Sequence, residues 1–394
     1  MDRVVYDLET LSNCFIACFE DYKTEETKVF VVHDLRNDFK EFVEYIKYIK
    51  EKKGWLISFN GLSFDSPILE FISQYYDEWK DKSGCEIANI IYKFGQRTIN
   101  NQDQLPEYPE WKLSTNNIDV FKLNHWDNPA KRSSLKWIQY SMDWATIQDM
   151  PLKHTTVIKT IDEIDMIIDY CFNDVKSTKQ IMNLSKEQIN LRKTLTSEYG
   201  INLFSASEPR ISRELFLYFL SKQTGISKYD LKQLRTFRTN IRVKDIILPY
   251  IKFKSGDFQR LLNQFEKLDI NPNETKNAFK YSLKYKGVTT DFGLGGVHGA
   301  ANAGIYEANE EMIIMSSDVV SFYPNLAIRN GWAPAHLPKK EFCNLYEWFF
   351  EERKKIPKKD PKNYVYKIIL NSTYGLSNDK NSFLYDPEFT MRIK

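Results

Sequence analysis

The sequence is poor in the residues that define several protein classes. It has five cysteines in 394 residues, at positions 14, 18, 85, 171 and 343, with no Cys-x-x-Cys pair. An odd, scattered set argues against a disulfide framework or a structural zinc site, and fits reduced thiols in a cytoplasm-like compartment. No apolar run approaches the ~18–20 residues that span a bilayer, so no membrane partner is expected. The opening residues, Met1-Asp2-Arg3-Val4-Val5-Tyr6-Asp7, lack the basic and apolar stretches of a secretory leader, so the protein is not expected to be secreted. Internal repeats and low-complexity tracts are missing too.

What is present is the composition of a soluble globular protein: 42% apolar and 27% charged residues. At ~150 residues per domain the length predicts two or three domains. The formal net charge is only +2, but it is unevenly spread. Residues 1–190 carry 23 Lys+Arg against 31 Asp+Glu, a net of −8. Residues 191–290 carry 19 against 9, a net of +10, and residues 291–394 balance at 13 each. An acidic block joined to a basic block predicts separate tasks along one chain.

The first 190 residues read as an α/β unit. Arg3–Glu9, Cys14–Tyr22 and Lys28–His33 have the β-branched and aromatic content of an antiparallel meander. Asp38–Lys50 carries a helical stripe, Trp55–Phe59 a short strand, and Ser63 to Tyr76 a helix. Residues 81–112 read as irregular, Asn117–Leu123 as a strand, and Ile161 to Leu191 as one long helix. Residues 191–290 read as mostly helical, basic and interleaved with aromatics, as in Arg235, Phe237, Arg238 and Arg242. Such a surface suits sequence-independent contact with nucleic acid. A strand is expected at Met312–Ser317, helices at Leu345–Lys355 and Tyr364–Leu376, and two short strands in Ser382–Lys394.

Carboxylates recur in a pattern. Asp7 and Glu9 stand at i and i+2 on a strand, which puts both on one face of a sheet. Paired acids repel unless a cation sits between them. Asn60-Gly61-Leu62-Ser63-Phe64-Asp65 follows a strand and opens a helix. Tyr170-Cys171-Phe172-Asn173-Asp174 puts Tyr170 and Asp174 one helical turn apart. Four convergent acids, Asp7, Glu9, Asp65 and Asp174, are what two Mg²⁺ or Mn²⁺ ions about 3.5–4 Å apart require, and hard oxygen ligands suit these ions.

In order and spacing, these three segments resemble the exonuclease motifs of family B DNA polymerases. The resemblance implies a ribonuclease-H-like 3′→5′ exonuclease domain over residues 1–190. It implies that Asp7, Glu9 and Asp174 hold one metal, that Asp65 with Asp7 serves the second, and that Tyr170 orients the attacking water. Thr10, Asn60 and Phe64 match positions that hold a frayed 3′ end, and Phe64 reads equally as a core aromatic.

Two further segments resemble polymerase motifs of the same family. Asp318-Val319-Val320-Ser321-Phe322-Tyr323-Pro324 is similar to motif A. By that match Asp318, with Val319 beside it, binds the catalytic metals, Ser321 and Phe322 line the triphosphate site, and Tyr323 packs under the deoxyribose. Lys367-Ile368-Ile369-Leu370-Asn371-Ser372-Thr373-Tyr374-Gly375 is similar to motif B almost residue for residue. It implies that Lys367 holds the triphosphate, Asn371 the nucleotide and Tyr374 the nascent base pair. Arg353 or Lys355 is a candidate second phosphate ligand. Gly295 and Gly296, in a glycine-rich run, occupy the place of an element that contacts the template backbone; His298 is a phosphate ligand or a packed histidine.

Motif C, an Asp-Thr-Asp turn, is missing, and the sequence has no Asp-x-Asp. The resemblance therefore implies the N-terminal part of a polymerase of phage or viral type, acting in a host cytoplasm. Its expected parts are the exonuclease domain, a basic connecting segment at 191–290, a partial palm at 291–340, fingers at 341–378 and truncated palm strands at 379–394. Its partners are primer-template DNA, deoxynucleoside triphosphates (dNTPs) and a C-terminal chain or segment that supplies the second catalytic aspartate. A non-catalytic DNA-binding subunit and a stand-alone 3′→5′ exonuclease are the alternatives.

Overall fold

A computed structural model of the chain describes residues 3–100, 106–128, 130, 132–273, 280–293 and 296–393. It is mixed α/β, in two compact units, Met1–Ser207 and Glu208–Lys394. The expected boundary at 190 lies inside a helix of the first unit.

The first unit is built on a six-stranded mixed sheet. Its strands are β1 (Arg3–Thr10), β2 (Phe15–Asp21), β3 (Thr27–His33), β4 (Arg36–Asn37), β5 (Trp55–Ser58) and β6 (Asn116–Asp119), in the order β4-β3-β2-β1-β5-β6. The first four form an antiparallel meander, whereas β5 runs parallel to β1, and β6 parallel to β5. The β1 side chains alternate. Val4, Tyr6 and Leu8 enter a core with α1 (Phe39–Glu51), α2 (Asp65–Trp79) and α3 (Gly84–Asn100). Val5 enters a second core with Ile164, Ile167, Cys171 and Val175 of α6 (Ile161–Leu184). By the period of two, Asp7 and Glu9 share the Val5 face and look towards α6. Between β6 and α6 in sequence lie α4 (Val120–Leu123) and α5 (Leu135–Ser141), and α7 (Lys186–Tyr199) follows α6.

Three expectations for this unit are corrected. Residues 84–100 are helical, because Ile87, Ala88, Ile91 and Phe94 form a buried stripe among polar residues. Gly84 lets α3 approach closely: a Cβ there would meet the His33 backbone at 2.5 Å. Asn117–Leu123 is a strand only to Asp119, whose carboxylate accepts the N–H groups of Phe121 (3.0 Å) and Lys122 (3.3 Å) and so starts α4. The long helix expected to run to Leu191 breaks at Ser185, whose hydroxyl receives the Asn124 amide at 3.2 Å. Arg192 of α7 is buried and donates to the carbonyls of Ala206 (2.8 Å) and Leu123 (3.0 Å), so residues 191–207 pack into this unit.

The second unit contains α8 (Glu208–Thr224), α9 (Lys228–Gln233), β7 (Ile241–Arg242), α10 (Gly256–Phe265), β8 (Asp269–Ile270), β9 (Lys280–Tyr285), β10 (Val288–Gly293), β11 (Gly296–Ala300), α11 (Phe322–Asn330), α12 (Lys339–Lys355), α13 (Pro361–Leu376) and α14 (Pro387–Ile393). Phe216 of α8 packs against Phe342, Tyr346 and Phe349 of α12. Tyr346 ties α12 to α13 by donating to the Leu370 carbonyl at 2.7 Å.

Here too the structure departs from expectation. Residues 191–290 are not mostly helical in their second half. β9 and β10 form a hairpin around Lys286-Gly287, both at positive φ (49° and 82°), the twist that joins adjacent strands tightly. Met312–Ser317 is not a strand: Ile313 and Met315 are exposed, and no described strand pairs with the segment. Without a ladder partner, β-branched content alone does not make a strand. The two strands expected after Ser382 are replaced by α14. Buried Asp386 holds its start, accepting from the Glu388 N–H (3.1 Å), the Ala335 N–H (2.9 Å) and the Arg238 guanidinium (2.9 Å).

Candidate active site

The cleft of interest in the first unit lies where β1 and β5 end, at the carboxyl side of the parallel strands, the usual place for ligands in α/β sheets. It measures about 290 Å³ and is lined by Asp7, Glu9, Asn60, Phe64, Asp65 and Asp174 among others. Segments more than a hundred residues apart in sequence thus contribute four carboxylates to one wall. Asp7 and Glu9 come from β1, Asp65 from the first turn of α2 and Asp174 from α6.

The electrostatics follow from burial. Desolvation first, and then repulsion from Glu9, Asp65 and Asp174, holds the Asp7 carboxyl well above the usual range. Burial and the neighbouring Asp174 and Asp65 push Glu9 up to about 8. Burial pushes Asp65 up to about 7. Asp174 is raised by burial, which hydrogen bonds from Gln139 and Tyr170 partly offset. An arrangement that penalises its own charge this strongly suits a site that takes up cations.

Each predicted residue of the first unit has a definite place. Tyr170 is half-buried, hydrogen-bonds Asp174 one turn on, and has its phenol pushed well up by burial and the acids around it. Asn60 adopts the left-handed conformation (φ 63°) at the turn into α2. Gly61 allows that turn to sit on β5, since a Cβ there would fall 2.5 Å from the Ser58 Cβ. Phe64 lines the cleft and packs on the core. Thr10 is buried behind it, both lying against Gly95 of α3.

Three residues escaped the sequence reading. The Cys171 thiol donates to the Asp7 carbonyl (3.4 Å) and carboxylate (3.6 Å), and Asp7, Glu9 and Cys171 form a group of metal-ligand atoms within 4.8 Å of one another. In sequence it looked only like an apolar position of α6. Gln139, fully buried on α5, donates to Asp174 at 3.0 Å and to Ser177 at 2.9 Å. No local pattern marks it. Asp119, also fully buried, accepts the N–H groups of Asn60 (2.9 Å) and Leu62 (3.1 Å). In sequence it lay inside the strand expected at Asn117–Leu123.

In the second unit, motif-like residues 321–323 and 353–374 come together. Tyr323 lies on Tyr374 with ring centroids 4.5 Å apart, and Arg353 reaches the Ser321 hydroxyl at 3.3 Å. Ser321 is left-handed (φ 48°), a costly conformation for a non-glycine residue, and starts α11, to which Phe322 belongs. Lys367 and Asn371 are exposed on α13 and Tyr374 is half-buried, on the face expected from their spacing. Lys355 is exposed and paired with Glu352 at 2.7 Å. Asp318 is exposed, its carboxylate accepting the Val319 N–H at 2.8 Å, and no cluster of metal-ligand side chains surrounds it among the described residues. Gly296 (φ 121°) pairs with Gly293 at the β10–β11 hairpin, and Gly295 lies outside the described residues. His298 is exposed on β11.

No protein-family model matches the sequence, and no curated protein does. Among solved structures the chain is similar to that of a family B DNA polymerase from the hyperthermophilic archaeon Pyrobaculum calidifontis, at 13% identity and a TM-score of 0.49. The match covers all of this chain and 49% of that one, so the chain spans about half its length. None of the described helices is long and apolar enough to cross a membrane.

Proposed function

We propose that the first unit is a 3′→5′ exonuclease of ribonuclease-H-like fold acting on single-stranded DNA, and that the chain is the N-terminal part of a family B DNA polymerase. The observation that carries the proposal is the gathering of Asp7, Glu9, Asp65 and Asp174 in one cleft, with Tyr170 on Asp174. A set of carboxylates, Asp65 buried and the other three half-buried, fits a pair of hard divalent cations, Mg²⁺ or Mn²⁺, with the Cys171 thiol beside them. When bound, such ions supply charge for the attacking and leaving oxygens of a phosphodiester.

The chain's own residues do the rest. Asp7, Glu9 and Asp174 hold one ion, and Asp65 with Asp7 the other. Gln139 keeps Asp174 in place from behind, and the Tyr170 phenol, held protonated, orients water by hydrogen bonding. Asn60 and Phe64, with Thr10 behind them, receive the terminal nucleotide. In the second unit Lys367 and Arg353 serve the triphosphate, Asn371 the nucleotide, and the Tyr323–Tyr374 pair the sugar and nascent base pair. DNA synthesis takes a second carboxylate, beside Asp318, from a further polypeptide segment.

The test is degradation of a 3′-labelled single strand. Asp7→Ala is expected to abolish Mg²⁺-dependent loss of label, and undiminished degradation would sink the assignment. Primer extension by the purified chain unaided would refute the need for a further segment.

A further inference from the structure

A cysteine on the apolar stripe of a buried helix is ordinarily a small hydrophobe. Cys171 departs from that role. It is fully buried on α6, yet its sulfur faces the strand that carries the acids, 3.4 Å from the Asp7 carbonyl and 3.6 Å from the Asp7 carboxylate. A thiol is a weak donor, so it does little to satisfy that carboxylate. The Cys171 Sγ and one oxygen each of Asp7 and Glu9 lie within 4.8 Å of one another. Among the described residues no other three Asp, Glu, Cys or His side chains gather so closely. The spacing has a chemical meaning. A tetrahedral ion with sulfur at ~2.3 Å and oxygen at ~2.1 Å sets those two ligand atoms about 3.6 Å apart. That is the separation found between the Cys171 Sγ and the Asp7 carboxylate oxygen. Magnesium, by contrast, takes oxygen ligands and makes no use of a sulfur.

We propose that Asp7, Glu9 and Cys171 form a binding site for a single thiophilic divalent ion of the Zn²⁺ class. The metal–sulfur bond forms as the S–H bond breaks; the proton leaves to solvent and no electron changes hands. Without an ion, burial, and then the neighbouring Cys18 and Asp7, hold the thiol protonated; a bound dication reverses that balance. Three protein ligands leave the fourth tetrahedral position to water. The inference goes beyond the nuclease reading and does not require it, because it concerns which ion these atoms hold. Thiolate selects zinc over magnesium and manganese. Cys171, and not one of the acids, therefore sets the ion preference of this corner of the cleft, and a zinc ion there withdraws Asp7 and Glu9 from any pair of hard ions.

The probe is Co²⁺ added alone to the metal-free full chain, followed by the thiolate-to-cobalt charge-transfer absorption in the near ultraviolet. Wild-type protein is expected to develop this band at one ion per chain and to lose it to excess Zn²⁺. No such band at any Co²⁺ concentration overturns the proposal. In Cys171→Ser, which keeps nearly the native size, the band is expected to vanish. The affinity for Zn²⁺ relative to Mn²⁺ is expected to fall about a hundredfold, since a lost ligand costs at least as much as a lost outer partner. A band that survives Cys171→Ser places the ion at another thiol, such as the adjacent Cys18, and overturns the proposal. So does an equal loss of Zn²⁺ and Mn²⁺ affinity, the mark of general damage to the cleft. Should Cys171→Ser not fold, Glu9→Gln decides: it is expected to weaken Co²⁺ binding about tenfold or more, and an unchanged midpoint overturns the site. None of these measurements uses cleavage, so a protein that degrades no DNA would refute the nuclease reading and leave the zinc site to be decided by the band.

Discussion

Asp119, at the end of β6, holds Asn60 by accepting its backbone N–H at 2.9 Å from a carboxylate with no solvent exposure. The same carboxylate takes the Leu62 N–H, so one buried acid fixes the turn that carries Asn60 to the cleft. Asp119→Ala would leave these N–H groups without partners in a buried setting. The expected cost is ~3–5 kcal/mol, as for a broken buried charge network, read as a lowered denaturation midpoint. Asp119→Asn, which presents an amide to N–H donors, is expected to recover only part of the loss.

The carboxylate cluster makes metal-free stability depend on pH in an unusual direction. Glu9, at about 8, and Asp65, at about 7, bind protons in the folded protein that the unfolded chain has released above pH ~4–4.5. Their contribution is therefore fully present below the unfolded pKa and is lost progressively as pH rises from about 4–4.5 through the folded values of about 7 and 8. The thermal midpoint of metal-free protein is expected to fall over that interval, and that of Glu9→Gln to fall less. Mg²⁺ at pH 8 is expected to raise the wild-type midpoint more than that of Glu9→Gln. A wild-type midpoint that climbs between pH 5 and 8 without metal would contradict the account.

Gly61 tests the turn by volume alone. With Ser58 Cβ 2.5 Å from where its own Cβ would sit, Gly61→Ala must push the turn away from β5. A loss of ~1–3 kcal/mol is expected, typical of overpacking, together with reduced single-strand degradation because Asn60 moves. Ser58→Gly in the same protein is expected to restore part of both, since it removes the clashing Cβ and hydroxyl.

The two candidate phosphate ligands of the second unit are separated by their partners. Arg353 faces Ser321, whereas Lys355 is spent on Glu352 at the surface. Arg353→Ala is expected to weaken dNTP binding about tenfold or more, the scale of a lost charged hydrogen bond. Lys355→Ala is expected to stay within about twofold, as for an exposed pair. Equilibrium binding of a fluorescent dNTP analogue reads both, and equal losses would remove the distinction.

The meander and the strand at Trp55 were legible because alternation is a local property, as was the shared face of Asp7 and Glu9, whereas Asp65 and Asp174 joined them through the resemblance to exonuclease motifs. What the sequence hid depended on distant partners. α3 reads as irregular until Ile87, Ile91 and Phe94 are seen packed in the core beside β1. Gln139 and Cys171 matter only through Asp174 and Asp7, which lie 35 and 164 residues away. Met312–Ser317 failed in the opposite sense: its content suits a strand, yet a strand is a property of two segments, and only one is described.

One helix, α6, carries Tyr170, Cys171 and Asp174 against the strand that carries Asp7 and Glu9. Phenol, thiol and carboxylate are therefore held in fixed relation to one another by one helical backbone. Ile181, two turns beyond Asp174 on the same helix, is buried in the core that also holds Cys171, so Ile181→Ala is expected to disturb the seating of all three together. Substitutions on that stripe should scale the site's activity up or down as a whole, without altering the balance among its members.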